Sequence, residues 1–219
     1  MIKEVLKSMK INRAVACFVF TTSLSLAASL ANGAAPAPQD PDWPCEQILV
    51  SEVPAAVVWA GPSVDGLGSA WKQAQGVTRL VQQITSPAYD QDSAEQAITA
   101  FASMQDPQQK DQRLTLLFAG VLETLNRDRS RMLQGILSYS RGQSARAMRL
   151  GEDLDEIARL EDDPSSVARE RLQAMQQEMM IKQRIFDERE GSIQYLCSRP
   201  VAIEQRLGFL ARTIAAQLD

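Results

Sequence analysis

The residue types that carry most enzyme chemistry are scarce in this 219-residue chain. Histidine is absent. That removes the commonest general base near neutral pH, the usual nucleophile–base triads and nearly all zinc sites. Of the three cysteines, Cys17 lies in an apolar N-terminal run, which leaves Cys45 and Cys197. These two lack the Cys-x-x-Cys spacing of reactive dithiols, and no Cys-x-x-Cys-His run offers haem attachment. Carboxylates remain: Glu152, Asp153, Asp155 and Glu156, then Glu161, Asp162 and Asp163. Two of them set about 5 Å or about 6.5–9.5 Å apart could serve a glycosidase-type hydrolase. Such a site also needs an aromatic-lined cleft, and aromatic residues make up only 5% of the chain. The run therefore reads as an acid-rich, solvated helix end.

Three further patterns invite a ligand and are explained without one. Asp90-Gln91-Asp92-Ser93-Ala94-Glu95 opens like a calcium loop. An EF-hand, however, needs an oxygen ligand fifth and glycine sixth, where this run has alanine and glutamate, so it reads as a helix cap. Met175, Met179 and Met180 lie within two turns and offer thioethers that suit Cu(I). Met175 and Met179 also continue an apolar seam with Leu172 and Phe186, and packing accounts for them. Gly66 and Gly68 are not followed by the Lys-Ser/Thr of a phosphate cradle. No catalytic residue, metal ligand or cofactor site is nominated.

One charge pattern stands out. Residues 127–149 hold six arginines (Arg127, Arg129, Arg131, Arg141, Arg146 and Arg149) against Asp128, a net charge of +5. Residues 152–163 hold seven acids against Arg159, a net charge of −6. One reading is a solvated surface whose halves pair with each other or with neighbouring helices. The other is a basic interaction face that meets an acidic partner protein or an anionic membrane surface.

The N-terminus reads as a targeting segment. Lys3, Lys7, Lys10 and Arg13 precede an apolar run of 15 residues, 14–28, short of the roughly 20 that span a bilayer. Small residues at 29–31 and 33–35 offer peptidase sites. We expect a Sec-type signal peptide over residues 1–34 and a periplasmic protein, with an uncleaved anchor as the alternative. Cys17 comes only four residues after Arg13, inside the apolar run, which argues against lipidation. Without residues 1–34 the chain keeps 19 basic and 26 acidic residues, a net charge of −7, which argues against binding nucleic acid. The remaining length suits one domain. An even pair of cysteines in an exported chain favours a Cys45–Cys197 disulfide, whose loop is worth roughly 5 kcal/mol in the chain-entropy model.

Residues 35–44 are proline-rich and form an extended leader that delivers Cys45 to the domain. The run Asp40-Pro41-Asp42-Trp43-Pro44-Cys45 resembles the opening of a loose group of secreted Gram-negative bacterial proteins. The resemblance covers this leader alone; it implies an exported helical protein and no particular activity. Trp43 is expected to lie as a lid over the bridge.

Helices must position everything else. Leu114, Leu117, Phe118, Val121, Leu122, Leu125, Met132, Leu133, Ile136 and Leu137 repeat at three and four residues and predict a long helix over 107–139. Asp106 is its expected cap, with Pro107 in its first turn. A short helix is expected within 48–60 with Pro54 in its first turn, and a longer one over 69–85. A further helix is expected to be capped by Asp92 or Ser93. Gly142 and Ser144 mark a place where the long helix could kink before resuming through 147–160. Asp163-Pro164 opens another long helix, whose Leu172, Met175, Met179, Phe186 and Ile193 lie close to a coiled-coil seam. Pro200 is expected to end it, and 201–218 forms the last helix. No alternating strand pattern appears.

The expectation is an all-α fold: an antiparallel bundle of about five or six helices, two of them long, closed by one disulfide. Residues 35–47 form the leader and 48–219 a single helical domain. The function expected is that of a periplasmic, non-enzymatic adaptor or chaperone-like accessory protein. Its partner would be another exported or envelope protein, with a membrane met only as a surface. A carboxylate-dependent hydrolase of envelope polymers is the first alternative and requires a cleft with a buried acid. A Met-based Cu(I) carrier is the second. The Leu-Thr-x-x-Gln repeat of small helical periplasmic stress chaperones is not matched at Leu114-Thr115-Leu116-Leu117-Phe118.

Overall fold

One helix, α4 (Lys110–Glu161), runs unbroken for 52 residues, about 78 Å at 1.5 Å per residue, and most of the other elements pack against it. The computed structural model describes residues 40–219; the expected signal peptide and residues 35–39 lie outside them. Before α4 come α1 (Ala55–Val58), a 3-10 turn (Ala70–Lys72), α2 (Val77–Ile84) and α3 (Gln91–Ser103). After it come α5 (Ser166–Gly191) and α6 (Ile193–Ala215). There is no strand among the described residues. The fold is all-α, with two long helices and one disulfide.

Several boundaries differ from those expected, each for a local reason. Gly142 and Ser144 do not interrupt α4. Between them Gln143 is buried and donates to the Phe186 carbonyl (3.3 Å) and Glu190 (3.2 Å) on α5. A mid-helix glycine costs about 1 kcal/mol, less than a packed neighbouring helix returns. Residues 106–109 form a turn, with Gln109 N–H on the Asp106 carbonyl (2.9 Å), and α4 begins at Lys110. The expected 69–85 helix is split at Gly76, whose φ of 83° suits glycine. The cap of α3 is Asp90, which accepts from the N–H and hydroxyl of Ser93 (2.8 and 2.7 Å). Those two bonds hold its carboxyl below the usual carboxylate range. Pro200 does not end a helix: the chain turns at Ser192 and Pro200 lies fully buried inside α6. A proline there costs about 3 kcal/mol. It follows Cys197 of the bridge by three residues on the same helix, and Gln47 Nε2 donates to the Cys197 carbonyl at 2.7 Å.

The main core lies where α2, α3, the first half of α4 and the end of α6 converge. Val81, Ile84, Ile98, Phe118, Leu210 and Ile214 are fully buried there, and Trp59 stacks on Phe118 with ring centroids 4.1 Å apart. Gly120 is needed at this contact. A Cβ on it would stand 2.7 Å from Val81 Cγ2 and 2.8 Å from Trp71 Cδ2. Gly120→Ala is therefore expected to destabilise by about 1–3 kcal/mol through overpacking. Gly135→Ala, on the same helix with nothing within 4 Å of its Cβ, is expected to stabilise by up to about 1 kcal/mol. Urea unfolding of the two variants checks this; the same sign for both would overturn the close approach at Gly120.

A second, smaller core joins the leader to α4 and α6. It contains Trp43, Cys45, Leu133 and Ile136, with Leu49, Leu137, Leu196 and Cys197 packed around them. Trp43 is buried beside the bridge and its Nε1 donates to the Gln47 carbonyl at 2.7 Å. From there the chain runs extended across α4. Asn126 accepts from the Val53 N–H (2.9 Å) and donates to its carbonyl (3.0 Å). Arg129 donates to the carbonyls of Val50 and Ser51 and to Glu204 of α6. This strap fastens residues 50–53 to α4 and, through Arg129, to the last helix.

Candidate functional site

Past residue 139, α4 is covered on one side only. Tyr139 donates to the Arg189 carbonyl at 2.9 Å, and from there α5 runs back along α4 to form a two-helix arm. In α4 the residues facing α5 are Tyr139, Gln143, Arg146, Leu150, Asp153, Ile157 and Leu160, spaced four and three apart. All seven are buried or half-buried. The matching residues of α5 are Ala168, buried, and Leu172, Met175, Met179 and Phe186, half-buried, with Lys182 between the last two. The expected seam is present through Leu172, Met175, Met179 and Phe186 as a half-buried line; Ile193 is not on it, because the chain turns at Ser192 and Ile193 opens α6. It is a polar seam. Gln143, Arg146, Asp153 and Lys182 interleave with the apolar residues, a device that sets register at a cost in stability.

The six arginines, for which a basic interaction face was the second of two readings, are distributed over several surroundings. Arg129 turns inward, 4% exposed, because it shares the helical phase of Leu125, Leu133 and Ile136; it does not belong to an exposed face. Arg141 pairs with Asp42 (2.7 Å) and Asp40 (3.3 Å) of the leader, and these carboxylates hold its guanidinium above the usual range. Arg131 pairs with Asp128 at 3.2 Å, and Arg127 approaches the same carboxylate at 3.9 Å. Arg146 and Arg149 line a groove along the arm.

The acids of 152–163 divide the same way. Asp153 binds Lys182 at 2.8 Å, and Glu156 binds Arg159 and Arg171, each at 3.0 Å. Glu152, Asp155, Glu161, Asp162 and Asp163 are exposed. None of the seven is buried, so the inward acid required by the hydrolase alternative is not among them. A different acid is held between two donors. Glu123 accepts from Trp71 Nε1 and Lys72 Nζ, each at 2.6 Å, and Lys72 and Trp71 hold its carboxyl below the usual range. That favours a fixed carboxylate, the opposite of a proton donor. The three methionines do not converge: Met175 and Met179 are in the seam, while Met180 is 67% exposed. Among the described residues, no group of three His, Cys, Asp or Glu could hold a metal ion, and no helix is long and apolar enough to cross a membrane.

What the arm does offer is an exposed, mixed surface. Met148, Leu154, Val167, Met180, Ile181 and Ile185 are six of the eleven large apolar side chains exposed among the described residues, though the arm is under a third of that length. One groove of about 320 Å³ runs between α4 and α5, lined by Arg146, Arg149, Glu152, Asp153, Lys182 and Ile185 over Leu150 and Phe186. No family model, curated protein or solved structure matches the chain. The arm's chemistry must therefore speak for itself. Ile181 and Ile185, four residues apart and off the seam of α5, were the available sequence signal for this surface.

Proposed function

We propose that the chain is an exported accessory protein that works by binding, with the arm as its contact surface for another exported or envelope protein. The single observation that carries this reading is the concentration of exposed apolar side chains on a hairpin otherwise covered in charge. Apolar patches rimmed by polar residues are the usual mark of protein contact sites. The bridge between Cys45 and Cys197 suits an oxidising compartment, as does the signal-like segment at 1–34. The body clamps one end of α4, so the arm projects a rigid surface about 30 Å long.

Affinity capture from periplasm tests this, with the wild-type chain compared with an Ile181→Ser, Ile185→Ser variant. Both isoleucines are exposed, 55% and 43%, so the fold is expected to survive. The expected result is a specific envelope protein captured by the wild type and reduced about tenfold or more by the variant, since losing two apolar contacts costs about 1.4 kcal/mol or more. Equal capture by both, or none above background, would remove the reading.

A further inference from the structure

The groove side of the arm carries its own complement. We propose that it is filled by the same groove of a second copy of this chain, the two arms lying antiparallel about a two-fold axis midway between Arg149 and Glu152. This rests on the arm being an interaction surface and names a second copy of the chain as the partner on its groove side.

Charge is the first argument. Along α4 the groove carries Arg146 and Arg149 toward the body, then Glu152 and Asp153 toward the tip. A two-fold axis between them sets Arg149 against the partner's Glu152, and Glu152 against the partner's Arg149, with one operation satisfying both. A parallel arrangement would set like against like, which costs free energy. The groove also leaves these two residues free to pair. Asp153 is taken by Lys182, and Glu156 by Arg159 and Arg171. Arg149 and Glu152, both exposed, have no ion-pair partner among the described residues.

Apolar surface and area agree. Ile185 lines the groove and is 43% exposed; Ile181, one turn earlier, is 55% exposed. Pairing two arms face to face covers Ile185 and completes a four-helix bundle from two half-covered hairpins. About 21 residues of α4 give a length of roughly 31 Å, and two packed helices give a width of roughly 20 Å. The face is thus roughly 600 Å² per copy, about 1,200 Å² in all, at the threshold of specific interfaces.

The test is the mass in solution of the protein as the cell processes it, bridge oxidised, by light scattering and sedimentation. A dimer is expected at about 10–100 μM, with its Kd rising about tenfold or more between roughly 0.05 and 0.5 M salt as the charges are screened. Arg149→Glu and Glu152→Arg are each expected to run as monomers, because each sets like charges across both contacts. Mixed in equal amounts, they are expected to dimerise again, because Glu at 149 of one copy meets Arg at 152 of the other, and the second contact keeps its native pair. That recovery cannot come from misfolded variants. A monomeric wild type, variants that dimerise as the wild type does, or a mixture that stays monomeric would each overturn the proposal. A monomer that still captures an envelope protein through Ile181 and Ile185 would overturn self-pairing alone and leave the proposed function standing.

Discussion

Replacing Cys45 and Cys197 together by serine is expected to lower the unfolding free energy by about 5 kcal/mol. The bridge joins residues separated by 152 positions, so breaking it returns nearly the whole described chain to the unconstrained unfolded ensemble. The native contacts around it survive on paper: Trp43 Nε1 still reaches the Gln47 carbonyl and Gln47 still reaches the Cys197 carbonyl. Most of the loss is therefore placed in the unfolded state. For a domain of this size the melting temperature should fall by about 10–20 °C. Thermal melts of the double variant and of the reduced wild type should coincide. A loss below about 1 kcal/mol would mean that the strap alone ties the segment around Cys45 to α6.

Arg129→Ala is expected to be the costliest change among the arginines, at about 2–3 kcal/mol. Its side chain is 5% exposed and its Nε binds Glu204 at 2.7 Å, while its Nη1 serves both the Val50 and Ser51 carbonyls. A fully buried pair broken on one side costs about 3–5 kcal/mol. Here Glu204 is 39% exposed and can be rehydrated, which reduces the figure. Arg129→Lys should recover only part of it, because a single ammonium cannot replace the guanidinium fork. Arg131→Ala, on a side chain 70% exposed and paired with Asp128 one turn away, should change stability by no more than about 0.5 kcal/mol. Urea unfolding of the three variants checks this, and equal costs at 129 and 131 would mean that Arg129 does not hold the strap.

The contrast between those two arginines also shows what could be read from residues in a row. The seam of Leu172, Met175, Met179 and Phe186 was legible because period is a property of one helix and survives whatever packs against it. The bridge was legible because only one even pairing remained. Arg129 was hidden in a block of like charges, although its phase was available: it lies four residues after Leu125 and four before Leu133. Gly142 and Pro200 misled because each is a local penalty of one to a few kcal/mol, overruled by contacts from far along the chain, Gln143 to Phe186 in one case and Gln47 to Cys197 in the other. Gly120 gave no sign, since its reason is the Trp71 and Val81 side chains. The groove was least legible of all, being made by two helices at once.

The turn that joins α4 to α5 at residues 162–165 is exposed and stands at the far end from the sulfur bridge. A scission of the backbone there would divide the sequence into two polypeptides, one bearing Cys45 and the other Cys197. The halves would remain a single molecule, stitched beside Leu133 and Ile136 at the base of the arm. The protein can thus lose chain continuity at its outermost point and still keep a covalent path from end to end.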